Sequence, residues 1–353
     1  MTRLGAGASV PARKEVSVQQ IRFALVGAGL MGRFHGRTLA SMVGGRLVVV
    51  VDADLAAAEA VAAWSPGARA TVDVSAAYGD DVDAVVVVTP AQTHAPIIEA
   101  AARAGKAVFC EKPLATTWAD ALRVRATLRA TGTPFQIGFQ RRYDPGVARL
   151  LRLLADGGLG AVETLRSVTA DPMGPDLDGM RRAAGIFHDT LAHDADLALA
   201  IGGPVDDVYA RGASLFDARF EALGKPDTTL ISLRFASGAL GVIENRLRTG
   251  YGYETVLEVG GSLAKGVVRD DALDGLTVFR AHRFERDHVP WFLERFATAY
   301  RAELDGFVAA LVDGRAPDPG VDQGVAVMRL CLAAERSYAE ARLVRLEEFA
   351  DPG

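Results

Sequence analysis

From Ile21 to Phe139 short β-branched runs alternate with longer Ala-rich stretches, the pattern that arises when buried parallel strands are joined by helices. Strands are expected at 21–26, 46–52, 70–72, 84–89, 107–111 and 135–139. They are apolar almost throughout rather than alternating, because helices on both faces of a parallel sheet leave neither face to water. Beyond Gln140 the texture changes. Alternating runs at 162–169, 229–235, 240–247 and 255–259 predict an antiparallel sheet with one face packed and one face polar. Between Trp291 and Val312, Phe292, Phe296, Tyr300, Leu304, Phe307 and Leu311 recur at helical spacing with Gly314 as a stop, and another helix is expected over 321–342. The expected class is α/β: a loose leader (1–20), a doubly wound parallel-sheet domain (21–139), and an α+β domain with a largely antiparallel open sheet (140–353).

Composition narrows the functions this architecture can serve. A length of 353 residues suits two domains, and 50% apolar with 24% charged residues excludes a disordered or collagen-like chain. Thirty-nine Lys and Arg against 44 Asp and Glu are interspersed, so no electrostatic footprint for nucleic acid is present. Cys110 and Cys331 are too few for a disulfide scaffold or a thiolate zinc site and suit a reducing cytoplasm. The first 20 residues lack the apolar stretch of a signal peptide, and no apolar run approaches the roughly 20 residues that span a bilayer. A cytoplasmic protein with neither membrane nor nucleic-acid partner is expected.

Candidate chemistry begins at Gly27-Ala28-Gly29-Leu30-Met31-Gly32, a G-x-G-x-x-G run between the first strand and the first helix. Its glycines allow the tight turn, the close approach of a pyrophosphate and the packing of helix on strand. Asp52 follows Gly27 by 25 residues, near the spacing at which a carboxylate accepts from an adenosine ribose diol. A carboxylate there cannot pair with a 2′-phosphate, and Arg46 lies at the wrong end of its strand, so NAD is expected rather than NADP. The bland alternative is a plain strand-to-helix turn. Two further segments close strands at the carboxyl edge, Thr89-Pro90 and Cys110-Glu111-Lys112-Pro113. Lys112 leaves a buried strand beside a carboxylate, which suits either a functional ammonium or a structural pair with Glu111. In FHDTLAHDAD (187–196), Asp189 and His193 are four apart, so the carboxylate can orient the imidazole, with Asp196 on the same side. Metal binding by His188, Asp189 and His193 lacks a third imidazole or a thiolate at suitable spacing, so no metal is expected.

Taken together, GAGLMG (27–32), VTPAQTH (88–94), CEKPLA (110–115), GFQRRYDP (138–145) and IFHDTLAHDAD (186–196) resemble the glucose-fructose oxidoreductase / inositol dehydrogenase / MocA family from about Ile21 to Leu346. YGYETVLEVGGS (251–262) and ERFATAYRAELDGFVAAL (294–311) resemble its inositol dehydrogenase branch. The resemblance implies a Rossmann domain carrying NAD and a polyol or sugar seated against the open second sheet. It assigns Lys112 to the reacting hydroxyl, Asp189 to substrate binding and His193 to general-base catalysis. Gly27, Gly29, Leu30, Met31, Gly32 and Asp52 would hold the dinucleotide, and Thr89, Pro90, His94, Glu111, Lys112 and Arg141 would line its reacting end. Substrate contacts would come from Lys112, Arg141, Asp189, Thr190, His193 and Tyr253. It also makes Lys112-Pro113 a candidate cis bond and implies a homo-oligomer, a dimer or tetramer.

The implied reaction is NAD-dependent oxidation of a secondary ring hydroxyl of an inositol or aminocyclitol to the ketone, with hydride passing to the nicotinamide. A pyranose dehydrogenase, a glycosidase using NAD transiently and a dinucleotide-binding ligand sensor are the alternatives. Pattern departures at SVTADPMGPD (167–176), Gln140 and Ala183-Ala184-Gly185 shape the pocket and leave the ring open.

Overall fold

The computed structural model describes residues 20–269 and 271–349, so the expected leader lies outside the described residues except for Gln20. Strands β1 (Ile21–Val26), β2 (Gly45–Val51), β3 (Arg69–Thr71), β4 (Ala84–Val87), β5 (Ala107–Glu111) and β6 (Phe135–Gly138) form one parallel sheet in the order β3-β2-β1-β4-β5-β6. Between them run α1 (Leu30–Ser41), α2 (Leu55–Ala62), α3 (His94–Arg103) and α4 (Trp118–Thr131). The runs are apolar for the reason the sequence suggested: β4 and β5 are buried along their whole lengths. Strand order reverses between β1 and β4, so a crevice opens at their carboxyl ends.

The chain continues through α5 (Pro145–Ala155), β7 (Val162–Ala170), α6 (Leu177–Arg182), α7 (Ile186–Asp189) and α8 (Leu191–Gly202). It then builds β8 (Val205–Ala213), β9 (Thr228–Phe235), β10 (Leu240–Arg246), β11 (Glu254–Gly261) and β12 (Lys265–Arg269). A small hairpin, β13 (Val278–Arg280) and β14 (Arg283–Glu285), precedes α9 (Phe292–Arg295), α10 (Ala297–Val312), α11 (Val321–Glu340) and β15 (Val344–Arg345). The second sheet has the order β12-β11-β7-β10-β9-β8-β15. Its pairs are antiparallel except β7 with β10, which run parallel. Helices α6 to α8 return the chain so that β8 runs in the direction of β7, and two hairpin reversals then set β10 alongside it. The sheet is therefore mixed where the alternation alone suggested an antiparallel one.

Two helical expectations are corrected. Phe296 (φ −112, ψ 16) separates α9 from α10, so 291–312 is not one continuous helix, and the 187–201 segment divides at Thr190 into α7 and α8. Helix α10 returns to the first sheet, where Leu304, Phe307 and Val308 share an apolar cluster with Phe23, Leu25, Val86 and Phe109. Helices α8 and α11 cover the inner face of the second sheet.

Candidate active site

The glycine run behaves as its spacing suggested. Gly27 adopts φ +108, and a Cβ there would lie 2.7 Å from the Val88 carbonyl oxygen; one on Gly32 would clash with the carbonyl of Gly27. Gly29 differs, because a Cβ on it meets nothing within 4 Å, and it starts α1 with no side-chain cap. Free N–H groups facing open space form the cradle a pyrophosphate needs, so the turn fits a dinucleotide. Leu30 is exposed at the rim of this cradle and Met31 reaches the cleft described below. Asp52 accepts from the Ala28 N–H at 2.6 Å and the Asp54 N–H at 2.9 Å, which ties the end of β2 to the glycine turn.

At the end of β5 the Glu111 carboxylate is not paired with the Lys112 ammonium. It meets His35 Nε2 at 2.7 Å and accepts from the Lys112 main-chain N–H at 3.2 Å. The Lys112 Nζ crosses to the other half of the molecule and donates to the Asp189 carbonyl at 2.9 Å, so the structural pair considered for it is absent. The Lys112-Pro113 bond is cis. His94 is fully buried, its two nitrogens facing the carbonyls of Pro113 and Thr89 at 2.7 and 2.8 Å. It clamps the two strand ends together and does not line the cleft; Pro90 is likewise outside it, on the surface.

A cleft of about 310 Å³ lies between the two sheets, lined by Lys112, Thr89, Glu111, Arg141, Asp189, Thr190, His193 and Tyr253 among others. His193 sits one turn into α8 with its Nδ1 buried and unpartnered, and burial together with Arg141 and Lys112 holds its pKa well below the usual imidazole value. The imidazole is therefore neutral at physiological pH. Asp189 lies at the α7–α8 break and accepts from the Gly185 N–H at 3.1 Å; its carboxylate is not bonded to His193, which corrects the orienting role expected from their spacing. Asp196 also departs from expectation, pairing with Arg142 at the groove between α8 and α11 instead of lining the cleft with His193.

The Arg141 guanidinium is buried and fixed by three neighbours: the hydroxyl of Thr169 at 2.7 Å, Asp194 at 3.2 Å and the Tyr253 hydroxyl at 3.1 Å. Asp194, fully buried on α8, also accepts from Thr169 and Asn245. Alternation on β7 and β10 directs Thr169 and Asn245 to the inner face, directly across from one another. Burial lifts the Tyr253 phenol to about 12, so it stays protonated. Sequence reasoning put the 167–176 segment at the pocket without singling out Thr169 or Asp171, and it missed Phe292 and Tyr300 in this cleft. For Asp171 the signal was its place just past an apolar strand, legible only with the strand's neighbours known. A larger groove of about 570 Å³ between α8 and α11, lined by Arg142, Asp196 and Asp322, contains none of the expected reacting groups.

Comparisons with known proteins agree with this geometry. Residues 21–139 match the profile of the oxidoreductase family with an NAD-binding Rossmann fold, and 147–267 match the GFO/IDH/MocA C-terminal domain. The chain is 37% identical to the inositol 2-dehydrogenase of Rhizobium meliloti (strain 1021), over 92% of its own length and 99% of that protein's. A crystal structure of a myo-inositol dehydrogenase from Corynebacterium glutamicum ATCC 13032 superposes with a TM-score of 0.88 at 28% identity, covering 95% of this chain and 100% of that one. The Lactobacillus casei myo-inositol dehydrogenase in complex with NAD(H) and myo-inositol superposes with a TM-score of 0.83 at 26% identity, over 93% and 97% of the two chains.

Proposed function

The chain belongs to the GFO/IDH/MocA family of NAD-binding oxidoreductases, and from that premise we propose that it oxidises a secondary ring hydroxyl of an inositol or related cyclitol to the ketone. The observation that carries the reading is the convergence of Lys112, Asp189 and His193 on one cleft at the carboxyl edge of the dinucleotide-binding sheet. The Gly27–Gly32 turn and Asp52 would hold NAD, with Met31, Thr89 and Glu111 at the end that enters the cleft. When bound, NAD supplies the two-electron acceptor.

The protein's own groups account for the proton. Neutral His193 accepts it from the substrate hydroxyl. Lys112 spends one N–H on the Asp189 carbonyl, and its remaining N–H groups stabilise negative charge developing on the carbinol oxygen. Asp189 keeps acceptor capacity for a second ring hydroxyl. Tyr253 and Arg141 shape the wall behind the ring. Recording NADH formation with a panel of inositols, aminocyclitols and sugars tests the reading, with net accumulation separating it from a transient use of NAD. Lys112→Ala and His193→Ala are each expected to lose at least about 100-fold in turnover while still binding NAD; wild-type rates in either overturn the assignment.

Residues 21–139 are assigned to the dinucleotide and 140–353 to substrate and self-association. We place the protein in the cytoplasm as a homo-oligomer of two or four copies. Two buried free thiols suit that compartment, and none of the described helices is long and apolar enough to cross a membrane. The exposed outer face of the second sheet, with Leu230 and Leu240 each more than half exposed, suits a partner copy.

A further inference from the structure

Residues 171–185 link the end of β7 to α7, the short helix that carries Asp189, and α6 is their only regular element. The Asp171 N–H donates to the Arg246 carbonyl, and Gly185 is bonded to α7. Every other hydrogen bond that ties this stretch to the rest of the described residues comes from one side chain, Lys225, on the loop leading into β9. Its Nζ donates to the carbonyls of Met180, Arg181 and Ala183 at 3.0, 3.3 and 2.6 Å. These are orphan acceptors at the carboxyl end of α6, where the helix dipole also favours a cation. The lysine springs from a rigid base, because the nearby buried Asp227 accepts from the N–H groups of Leu215, Phe216 and Asp217.

The stem of Lys225 runs beside Gly185, 3.7 Å from where a Cβ would stand. Gly185 adopts φ +91, a region that side chains disfavour. Its carbonyl accepts from the His188 and Asp189 N–H groups, and its own N–H donates to the Asp189 carboxylate at 3.1 Å. Among the described residues no other group donates to that carboxylate. Asp189 is thus held in two separate ways. Its carbonyl, which takes the Lys112 ammonium, is fixed by the α7 and α8 backbone and by the buried Ile186, Phe187 and Leu191. Its carboxylate depends on where Gly185 points its N–H.

Resting on the functional reading above, we propose that Lys225 is a positioning residue for substrate recognition: by fastening the end of α6 it sets Gly185, and Gly185 turns the free oxygen of Asp189 toward a second ring hydroxyl. Lys225 itself does not line the cleft. Once α6 is loosened the carboxylate can rotate, and an incoming ring must order it at an entropic cost. The hydride step is spared, because the anchor of Lys112 lies in the α7–α8 backbone.

The experiment is steady-state kinetics of the full chain with myo-inositol at saturating NAD, for wild type, Lys225→Met and Lys225→Arg. Methionine keeps the stem and removes the donors, so KM should rise at least about fivefold while kcat changes by no more than about twofold. Arginine restores the donors and should return KM to within about twofold of wild type. A role confined to stability would lower the active fraction, and with it kcat, and leave KM in place. Wild-type KM in the methionine variant, or no rescue by arginine, overturns the proposal and leaves the functional reading standing. Should the methionine variant fail to fold, hydrogen exchange of the wild type decides: amides of 183–189 protected at least about 100-fold uphold the fastening, and free exchange refutes it. A wild type that oxidises no cyclitol removes the functional reading, and this inference with it.

Discussion

At the residue scale the site depends on groups whose partners are internal. Asp194 holds Arg141 in a dry interior, and removing one member of a buried ion pair leaves the other uncompensated. Asp194→Ala should therefore destabilise the fold by about 3–5 kcal/mol in chemical denaturation, with Asp194→Asn costing less because the amide still reaches Arg141 through its carbonyl. A loss below about 1 kcal/mol in the alanine variant would show that water compensates Arg141. Legibility follows the same division between local and long-range partners. Gly27, Gly32 and Asp52 could be read from sequence because backbone geometry and strand spacing alone require them. Lys112 and His193 were legible as chemical types at the ends of elements. Asp171 and Asp194 were not: their meaning comes from which strand lies beside β7 and which helix covers it, and no local pattern encodes either. His94 misleads for a related reason, since a histidine near a cofactor edge looks identical whether it touches a ligand or clamps two carbonyls.

At the element scale the strand–turn–helix unit around β1 and α1 separates folding from binding. Gly27→Ala places a side chain at φ +108 against the Val88 carbonyl, and such strain costs about 1–3 kcal/mol. Gly29→Ala is the informative contrast. Its φ of −71 suits any residue and its surroundings are empty, so melting should shift by no more than about 2 °C. The added methyl fills the phosphate cradle, and NAD affinity measured by calorimetry should fall at least about tenfold. Unchanged affinity would remove the glycine turn from the binding surface. Five of the six parallel strands could be read from sequence because they are largely buried on both faces and their runs are apolar, whereas β3, three residues with Arg69 exposed, gives only a weak signal. β8 could not, since VDDVYARGA carries charges that dilute its alternation, and the parallel β7–β10 pair depends on a helical return that hydropathy does not record.

At the scale of the whole molecule, the second sheet presents Leu230, Ser232, Arg234, Leu240 and Val242 on its outer face, with the alternate residues of β9 and β10 packed inward. Light scattering is expected to give at least twice the 37.3 kDa of one chain, and Leu230→Glu combined with Leu240→Glu should shift the population toward monomer by placing like charges across the contact. A monomeric wild type would make this face an ordinary solvated surface.

The tie from Lys112 to the Asp189 carbonyl reaches beyond chemistry. One ammonium serves as a stitch between the two halves of the protein and as the hand extended to the guest. One of its N–H groups closes the seam and two are left for a ring oxygen, so the contact between the halves holds the ammonium where the guest must meet it.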